Sequence, residues 1–147
     1  GSTAQAAETA ASAGSVTAIQ SLVTGVGSNQ PNANSSESVD HLADQNSSTK
    51  WYEGSGAAPS TSSPVYAVYT LSEASAAIGY TITSGNDASN RDPKNWQVLG
   101  TDDASVAADP NSSAWTTLDT RSDQGFSQRA QVVGYSIDAP AAYRYYQ

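Results

Sequence analysis

One short segment of the sequence is rich in oxygen-bearing side chains. Residues 44–49 (DQNSST) supply a carboxylate, two amides and three hydroxyls in succession, and Ca²⁺ takes six to eight such oxygens in proteins. The spacing is not that of an EF-hand, because the glycine required at the sixth position is Thr49 and the acid required at the twelfth is Ser55. Two interpretations stay open at this point, a calcium loop and a metal-free turn held by Asx and Ser hydrogen bonds.

Side-chain patterns typical of catalysis are weak in this sequence. It contains no P-loop, no HExxH and no nucleophile elbow, and His41 is the only histidine that a triad could use. Asp102 and Asp103 form the most visible carboxylate pair, but they fall in a predicted solvated loop. The sequence therefore predicts a protein that is not itself an enzyme.

Charge and composition disfavour several classes of function. The 147 residues carry 14 acidic and six basic side chains, for a net charge of -8, so no basic stripe is available to displace counterions from nucleic-acid phosphates. No apolar run approaches the length of about 20 residues that a membrane span requires. The sequence has no cysteine, which removes disulfides, thiol catalysis and Cys-based zinc sites.

The aliphatic content is low enough to raise the question of whether the chain folds. It has five Leu, four Ile, ten Val and one Phe, and so few large apolar residues with high net charge are typical of disorder. Three Trp and eight Tyr offset this shortage, because each buries roughly 150–250 Å². We therefore expect a thin core that depends on aromatic side chains.

The chain divides into a leader and one domain. Residues 1–14 are mostly small and weakly polar, and Gly1 and Ser2 are typical of a vector-derived remnant. Without a large apolar side chain, this segment is predicted to be a flexible leader. The folded domain is placed at residues 15–147.

Periodicity predicts the elements of the domain. Residues 16–26 fit a helix by spacing and a strand by β-branched content, and both remain open, whereas one helical turn is expected within residues 38–43. From Pro64 onward apolar residues alternate with polar ones, which is typical of half-buried strands. The expected strands, with a turn at residues 71–73 after the first, lie at residues 65–71, 78–82, 96–98, 115–118, 133–137 and 143–145. Short strands between Gly, Asn, Asp and Ser loops indicate an all-β antiparallel β-sandwich, with Trp51, Trp96 and Trp115 in its core.

Several segments together resemble discoidin-like domains, also called coagulation factor five/eight type C domains. Residues 42–51 (LADQNSSTKW) resemble the family segment (F/L)-x-D-G-N-x-x-T-K-W, and residues 81–96 (TITSGNDASNRDPKNW) resemble the stretch ITSANDAPxRDPKxW of a bacterial branch. Three shorter segments follow in the order of that branch: WTTLDTR at 115–121, FSQR at 126–129 and YRYY at 143–146. Such domains are similar to family 32 carbohydrate-binding modules of secreted bacterial glycoside hydrolases.

The resemblance implies a jelly-roll β-sandwich of the galactose-binding-domain type with a structural Ca²⁺ near one end. Asp44 would supply a side-chain oxygen, Asn46 a carbonyl, and Thr49 a hydroxyl and a carbonyl. Two departures stand out. Gln45 replaces the family's glycine, which predicts a less tightly turned loop. The sequence also ends at Gln147, before the family's final strand and its acidic calcium ligand.

The resemblance also implies sugar binding by loops at one rim. Such a site needs an aromatic face and polar groups for the hydroxyls, and the expected ligand-binding residues are Tyr52, Glu53, Asn86, Asp87 and Arg91. A structural turn at Arg91, Asp92 and Pro93, closed by a charge-assisted hydrogen bond, is the competing interpretation.

The function so implied is a non-catalytic module that targets a secreted or cell-surface bacterial glycoside hydrolase to glycans of the galactose, N-acetylhexosamine or mannose type. Its other expected partner is the parent catalytic domain. Two alternatives remain open: a structural spacer that packs on a catalytic domain without binding sugar, and a glycan-binding segment of a surface adhesin.

Overall fold

The computed structural model describes residues 2–5, 8–10, 16–28, 35–52 and 58–147. In these residues the regular structure consists of ten strands, one helical turn and four 3-10 turns. The strands are β1 Ser2–Gln5, β2 Glu8–Ala10, β3 Val16–Ala18, β4 Val23–Ser28, β5 Ala67–Ala76, β6 Gly79–Ser84, β7 Trp96–Thr101, β8 Thr116–Arg121, β9 Val132–Ser136 and β10 Ala142–Tyr146. The helical turn is α1 Ala104–Ala107, and the 3-10 turns are Ile19–Leu22, Ser35–Glu37, Val39–Leu42 and Ser89–Arg91.

The strands form a five-stranded sheet in the order β4-β5-β10-β7-β8 and a three-stranded sheet in the order β1-β6-β9, while β2 pairs with β3. Every strand pairing is antiparallel, which confirms the predicted antiparallel all-β class. Strand β10 lies in the middle of the larger sheet. Beyond its end, the Leu99 and Gln147 main chains exchange hydrogen bonds of 2.8 and 2.9 Å.

The hydrophobic core combines aliphatic residues with tyrosines packed around them. Its buried members are Leu71 and Tyr146 of the five-stranded sheet and Ile19, Ala77 and Ile137 outside the strands, with Tyr69, Tyr80 and Tyr143 among the residues packed against them. The Tyr146 hydroxyl donates to the Ser75 carbonyl at 2.5 Å and accepts from the Ala77 N–H at 3.1 Å. Tyrosine thus supplies apolar area while its hydroxyl satisfies buried main-chain groups.

A second aromatic cluster joins β6, β7 and β9. The Tyr135 ring stacks on Tyr80 at 5.2 Å and meets the edge of Trp96 at 5.1 Å. The Trp96 indole N–H donates to the Tyr80 hydroxyl at 2.8 Å, and that hydroxyl donates to Asp119 Oδ2 at 2.5 Å. Arg121 completes the cluster, with its Nε 2.9 Å from the same Asp119 oxygen.

Burial and the Asp119 hydrogen bond raise the pKa of Tyr80, so its hydroxyl stays protonated and able to donate. Trp115 is also buried, and its indole N–H donates to the Asp109 carbonyl at 3.0 Å. Trp115 is therefore buried as predicted, whereas Trp96 and Trp51 are half-buried.

Two predicted features differ from the structure. The turn expected at residues 71–73 is wrong, because β5 continues to Ala76 and its end pairs with β10, Ala76 opposite Ala142. Likewise, the residues assigned to a flexible leader include β1, which pairs with β6 from Ser2 opposite Ser84 to Gln5 opposite Thr81. Main-chain pairing needs no apolar side chain, so small and polar composition was a poor guide in both places.

The open question at residues 16–26 resolves mainly as strand, with β3 and β4 on either side of the 3-10 turn Ile19–Leu22. The helical turn expected within residues 38–43 is confirmed as Val39–Leu42. No helix in the described part of the chain is long and apolar enough to cross a membrane.

Candidate functional site

Two loops meet at one rim of the sandwich, and Lys50 joins them. Its ammonium lies 2.9 Å from Asn86 Oδ1 and 2.7 Å from Asp87 Oδ1, with Glu37 Oε1 at 3.5 Å. The Lys50 side chain is 12% exposed, whereas that of Asp87 is 53% exposed. Two residues predicted to bind ligand are therefore brought together at the surface by a lysine beneath them.

Because Lys50 lies beside it, the carboxylate of Asp87 stays ionised. The hydrogen bond from Lys50 lowers the pKa of Asp87, with further lowering by the charges of Lys50 and Arg91. Because the site also holds the amide of Asn86, it offers a charged acceptor beside a group that can both donate and accept.

Arg91 and Tyr52 form the second part of the rim. The Arg91 guanidinium carbon lies 4.5 Å from the centre of the Tyr52 ring, which is cation-π distance. The main chain of Tyr52 is held by its N–H, which donates to the Glu37 carbonyl at 3.0 Å. One face of this ring is thus covered by Arg91, and the pair presents a guanidinium on an aromatic support. Glu53, the fifth predicted ligand residue, lies outside the described residues.

The charge-assisted hydrogen bond expected at Arg91, Asp92 and Pro93 is made between Asp92 and Arg129 instead. Asp92 binds Arg129 through both carboxylate oxygens, with Nη1 to Oδ1 at 2.9 Å and Nη2 to Oδ2 closer still. Arg129 Nη1 also donates to the carbonyls of Asp87 at 3.0 Å and Gly85 at 3.3 Å. Arg129 therefore holds the loop that carries Asn86 and Asp87. Arg91 instead stacks on the ring of Tyr52.

The oxygen-rich loop at residues 44–49 lies immediately before Lys50. The Thr49 hydroxyl donates to Asp44 Oδ2 at 2.6 Å and lies 3.0 Å from the Asn46 carbonyl oxygen, and the Asn46 N–H donates to Asp44 Oδ1 at 2.9 Å. The three predicted calcium ligands thus converge within hydrogen-bond distance. The donor set is purely oxygen, which fits Ca²⁺, but it supplies fewer than the six ligands that the ion takes.

The backbone of this loop differs from expectation at Gln45. Its φ is 55°, the left-handed region that glycine adopts without a Cβ penalty. The prediction that replacing glycine loosens the turn is therefore wrong, since Gln45 keeps the tight conformation. No group of three or more His, Cys, Asp or Glu side chains suited to a metal occurs in the described ranges.

The residues considered for catalysis have structural roles. Asp102 Oδ1 accepts from the Arg144 N–H at 2.9 Å, and Asp103 Oδ1 accepts from the Ser105 N–H at 2.8 Å as the N-cap of α1. His41 Nδ1 lies 3.1 Å from the Lys50 carbonyl, which can only accept, so Nδ1 carries the proton. These contacts stabilise loops around the rim.

One shallow cavity of about 340 Å³ lies elsewhere, lined by Gly27, Ser28, Val68, Ala107 and Pro110. None of the predicted site residues lines it. The residues that sequence reasoning underrated are Lys50 and Arg129. The signal for Lys50 was its place in the T-K-W segment, and the signal for Arg129 was its place in the FSQR segment; its pairing with Asp92 was not visible because the two residues are 37 positions apart.

Comparison with known proteins supports the fold. No protein-family model matches the chain. A peptide-N(4)-(N-acetyl-beta-glucosaminyl)asparagine amidase of Arabidopsis thaliana is 38% identical over 63 residues, which are 43% of this chain and 8% of the amidase. Among solved structures, the CBM32-1 and CBM32-2 domains of Clostridium perfringens ZmpB in complex with GalNAc superpose with a TM-score of 0.63 at 17% identity.

That match covers 86% of this chain and 30% of the ZmpB chain. A further structure of the same two domains gives a TM-score of 0.61 at 16% identity, with the same coverage. The chain therefore has the antiparallel β-sandwich fold of CBM32 domains, which is the discoidin-like architecture predicted from its sequence. It spans 8% of the length of the amidase and 30% of the length of the ZmpB chains.

Proposed function

We propose that this domain is a non-catalytic carbohydrate-binding module. The observation that carries the proposal is the pairing of the exposed Asn86 and Asp87 on Lys50, with Arg91, stacked on Tyr52, close enough for its charge to act on Asp87. Hydroxyls of a sugar need both donors and acceptors at fixed positions, and this rim supplies an amide, a carboxylate and a guanidinium. The fold adds support, since a solved neighbour of the same architecture is in complex with GalNAc.

The role that fits such a module is to hold a secreted bacterial glycoside hydrolase near its glycan, which raises the effective concentration of substrate. A single shallow rim of this kind binds weakly. We expect millimolar dissociation constants, which correspond to about 4 kcal/mol. The glycans proposed as partners carry terminal galactose, N-acetylhexosamine or mannose, and the parent catalytic domain is the second partner.

A glycan array tests this proposal. The domain is expected to bind at least one of the three classes of terminal sugar, and Asp87→Ala is expected to lose that binding. Asp138→Ala is the matched control, because Asp138 is an exposed acid in the turn between β9 and β10. If the folded wild-type domain binds no sugar on the array, the proposal is contradicted and the spacer is favoured. If the domain binds sugar through Asp87 and its parent is a surface protein, the adhesin is favoured.

We also propose that the loop at residues 44–49 holds a structural Ca²⁺, with oxygens from Asp44, Asn46 and Thr49 as its first ligands. Calcium at a hundred times its dissociation constant is expected to stabilise the domain by about 2.7 kcal/mol. Thermal unfolding with EDTA and then with excess Ca²⁺ measures this. Asp44→Asn is expected to abolish the response. An unchanged melting temperature, with no metal found by elemental analysis, would rule the site out.

A further inference from the structure

The side chain of Lys50 is only 12% exposed, and its ammonium lies at the rim, where other side chains replace part of its water. Such replacement matters because a charge that loses water needs polar partners. An ammonium has three donors and no acceptor. The Lys50 ammonium donates to Asn86 Oδ1 at 2.9 Å and to Asp87 Oδ1 at 2.7 Å, and Glu37 Oε1 forms an ion pair with it at 3.5 Å.

The contact with Lys50 fixes which way the Asn86 amide faces. The two ends of an amide differ only in whether they donate or accept, so their assignment depends on the neighbours. Because Lys50 Nζ can only donate, the atom 2.9 Å away must be the oxygen of Asn86. The NH₂ group is then turned away from Lys50, and it has no hydrogen-bond partner among the described residues.

The contact with Lys50 also makes the two oxygens of the Asp87 carboxylate different from each other. Its Oδ1 accepts from Lys50, while Oδ2 makes no hydrogen bond within the part of the chain that the structure describes. Asn86 and Asp87 both approach one nitrogen, so the two side chains lie next to each other. Their remaining groups are a donor from Asn86 and an acceptor from Asp87, on residues that are both exposed.

We infer that Lys50 is a positioning residue that determines which donor and acceptor groups of this rim face a ligand. It occupies the acceptor of Asn86 and one acceptor of Asp87, so the rim offers an N–H donor beside a carboxylate acceptor. The matching ligand group carries an acceptor and a donor side by side, as an acetamido group or a pair of neighbouring hydroxyls does. This inference rests on the proposed function, because it takes the ligand to be a sugar.

The test follows ¹⁵N-labelled protein during titration with N-acetylgalactosamine. Lys50→Met is expected to weaken binding at least about tenfold, the effect of losing one good charged or oriented hydrogen bond, and Lys50→Arg is expected to restore part of it. Lys94→Met is the matched control and should bind normally, since Lys94 is 67% exposed and pairs with Asp123 at 3.6 Å.

A second variant keeps the test informative even where Lys50→Met fails to fold. Asn86→Asp retains an oxygen for Lys50 but exchanges the outward NH₂ donor for an acceptor. We expect at least about a tenfold loss of affinity with an unchanged melting temperature. Wild-type affinity in Asn86→Asp would overturn the assigned polarity while leaving the proposed function intact.

A measurement without sugar separates the two claims further. In the wild-type protein the Asn86 side-chain amide should be rigid in heteronuclear relaxation, and in Lys50→Met it should be mobile. Equal mobility in both proteins overturns the positioning role whatever the sugar does. Absence of any sugar binding by the wild-type protein overturns the proposed function, and with it the ligand side of this inference.

Discussion

Trp96→Ala is expected to lower the free energy of unfolding by about 3 kcal/mol, the lower end of the range for removing a large aromatic side chain from a core, because Trp96 is half-buried. The loss has two parts. The ring leaves a hole beside Tyr135, whose edge contact with Trp96 is 5.1 Å between centroids. The Tyr80 hydroxyl also loses its indole donor at 2.8 Å. For a domain with so few aliphatic residues, this is a large share of a total stability of about 5–15 kcal/mol.

Urea denaturation monitored by circular dichroism measures this effect. Trp96→Phe serves as the control, since it keeps most of the ring packing and loses only the indole hydrogen bond. Its expected cost is about 1 kcal/mol beyond the change in ring size. A midpoint for Trp96→Ala close to that of the wild type would show that the core does not depend on this aromatic cluster.

Arg129→Met is expected to weaken sugar binding and to lower the melting temperature. Arg129 binds both oxygens of Asp92, whose side chain is only 9% exposed, and removing the guanidinium leaves that carboxylate without its counter-charge. The same change releases the carbonyls of Gly85 and Asp87. The loop that carries Asn86 and Asp87 then keeps only the contacts with Lys50 and the hydrogen bond from the Ala130 N–H to the Gly85 carbonyl, and we expect binding to fall at least about tenfold.

Arg129→Lys distinguishes charge from geometry. Lysine keeps the positive charge near Asp92 but cannot form the planar two-point contact, so it should recover stability better than binding. Titration and thermal unfolding of the two variants give both quantities. Sugar binding by Arg129→Met at wild-type affinity would show that the loop holds its shape without this anchor.

The sandwich could be predicted from sequence because its strands bury one face. In β9, Tyr135 is buried while its neighbours Gly134 and Ser136 are exposed, and this period of two is visible in the letters. The low aliphatic content, which by itself favours disorder, is offset by aromatic residues such as Tyr69 and Tyr146 at core positions. Strand β1 could not be predicted this way, because its pairing is made by the main chain.

The site was only partly predictable. Residue types pointed to Asn86, Asp87 and Arg91 as rim residues, and the structure brings the first two together. What organises them is Lys50 and Arg129, which act from 36 or more positions away in the sequence. Such contacts depend on how the strands pair, and a single sequence does not reveal them. The calcium loop stays a prediction, since its three ligands converge but do not fill a coordination shell.

Chemical-shift mapping of wild-type protein with N-acetylgalactosamine tests the central claim most directly. We expect saturable shifts confined to two stretches, residues 50–52 and residues 85–91, with a millimolar dissociation constant. Shifts centred instead on the cavity at Gly27, Val68 and Pro110, or no shift with any of the three sugar classes, would contradict the assignment of this rim as a sugar site.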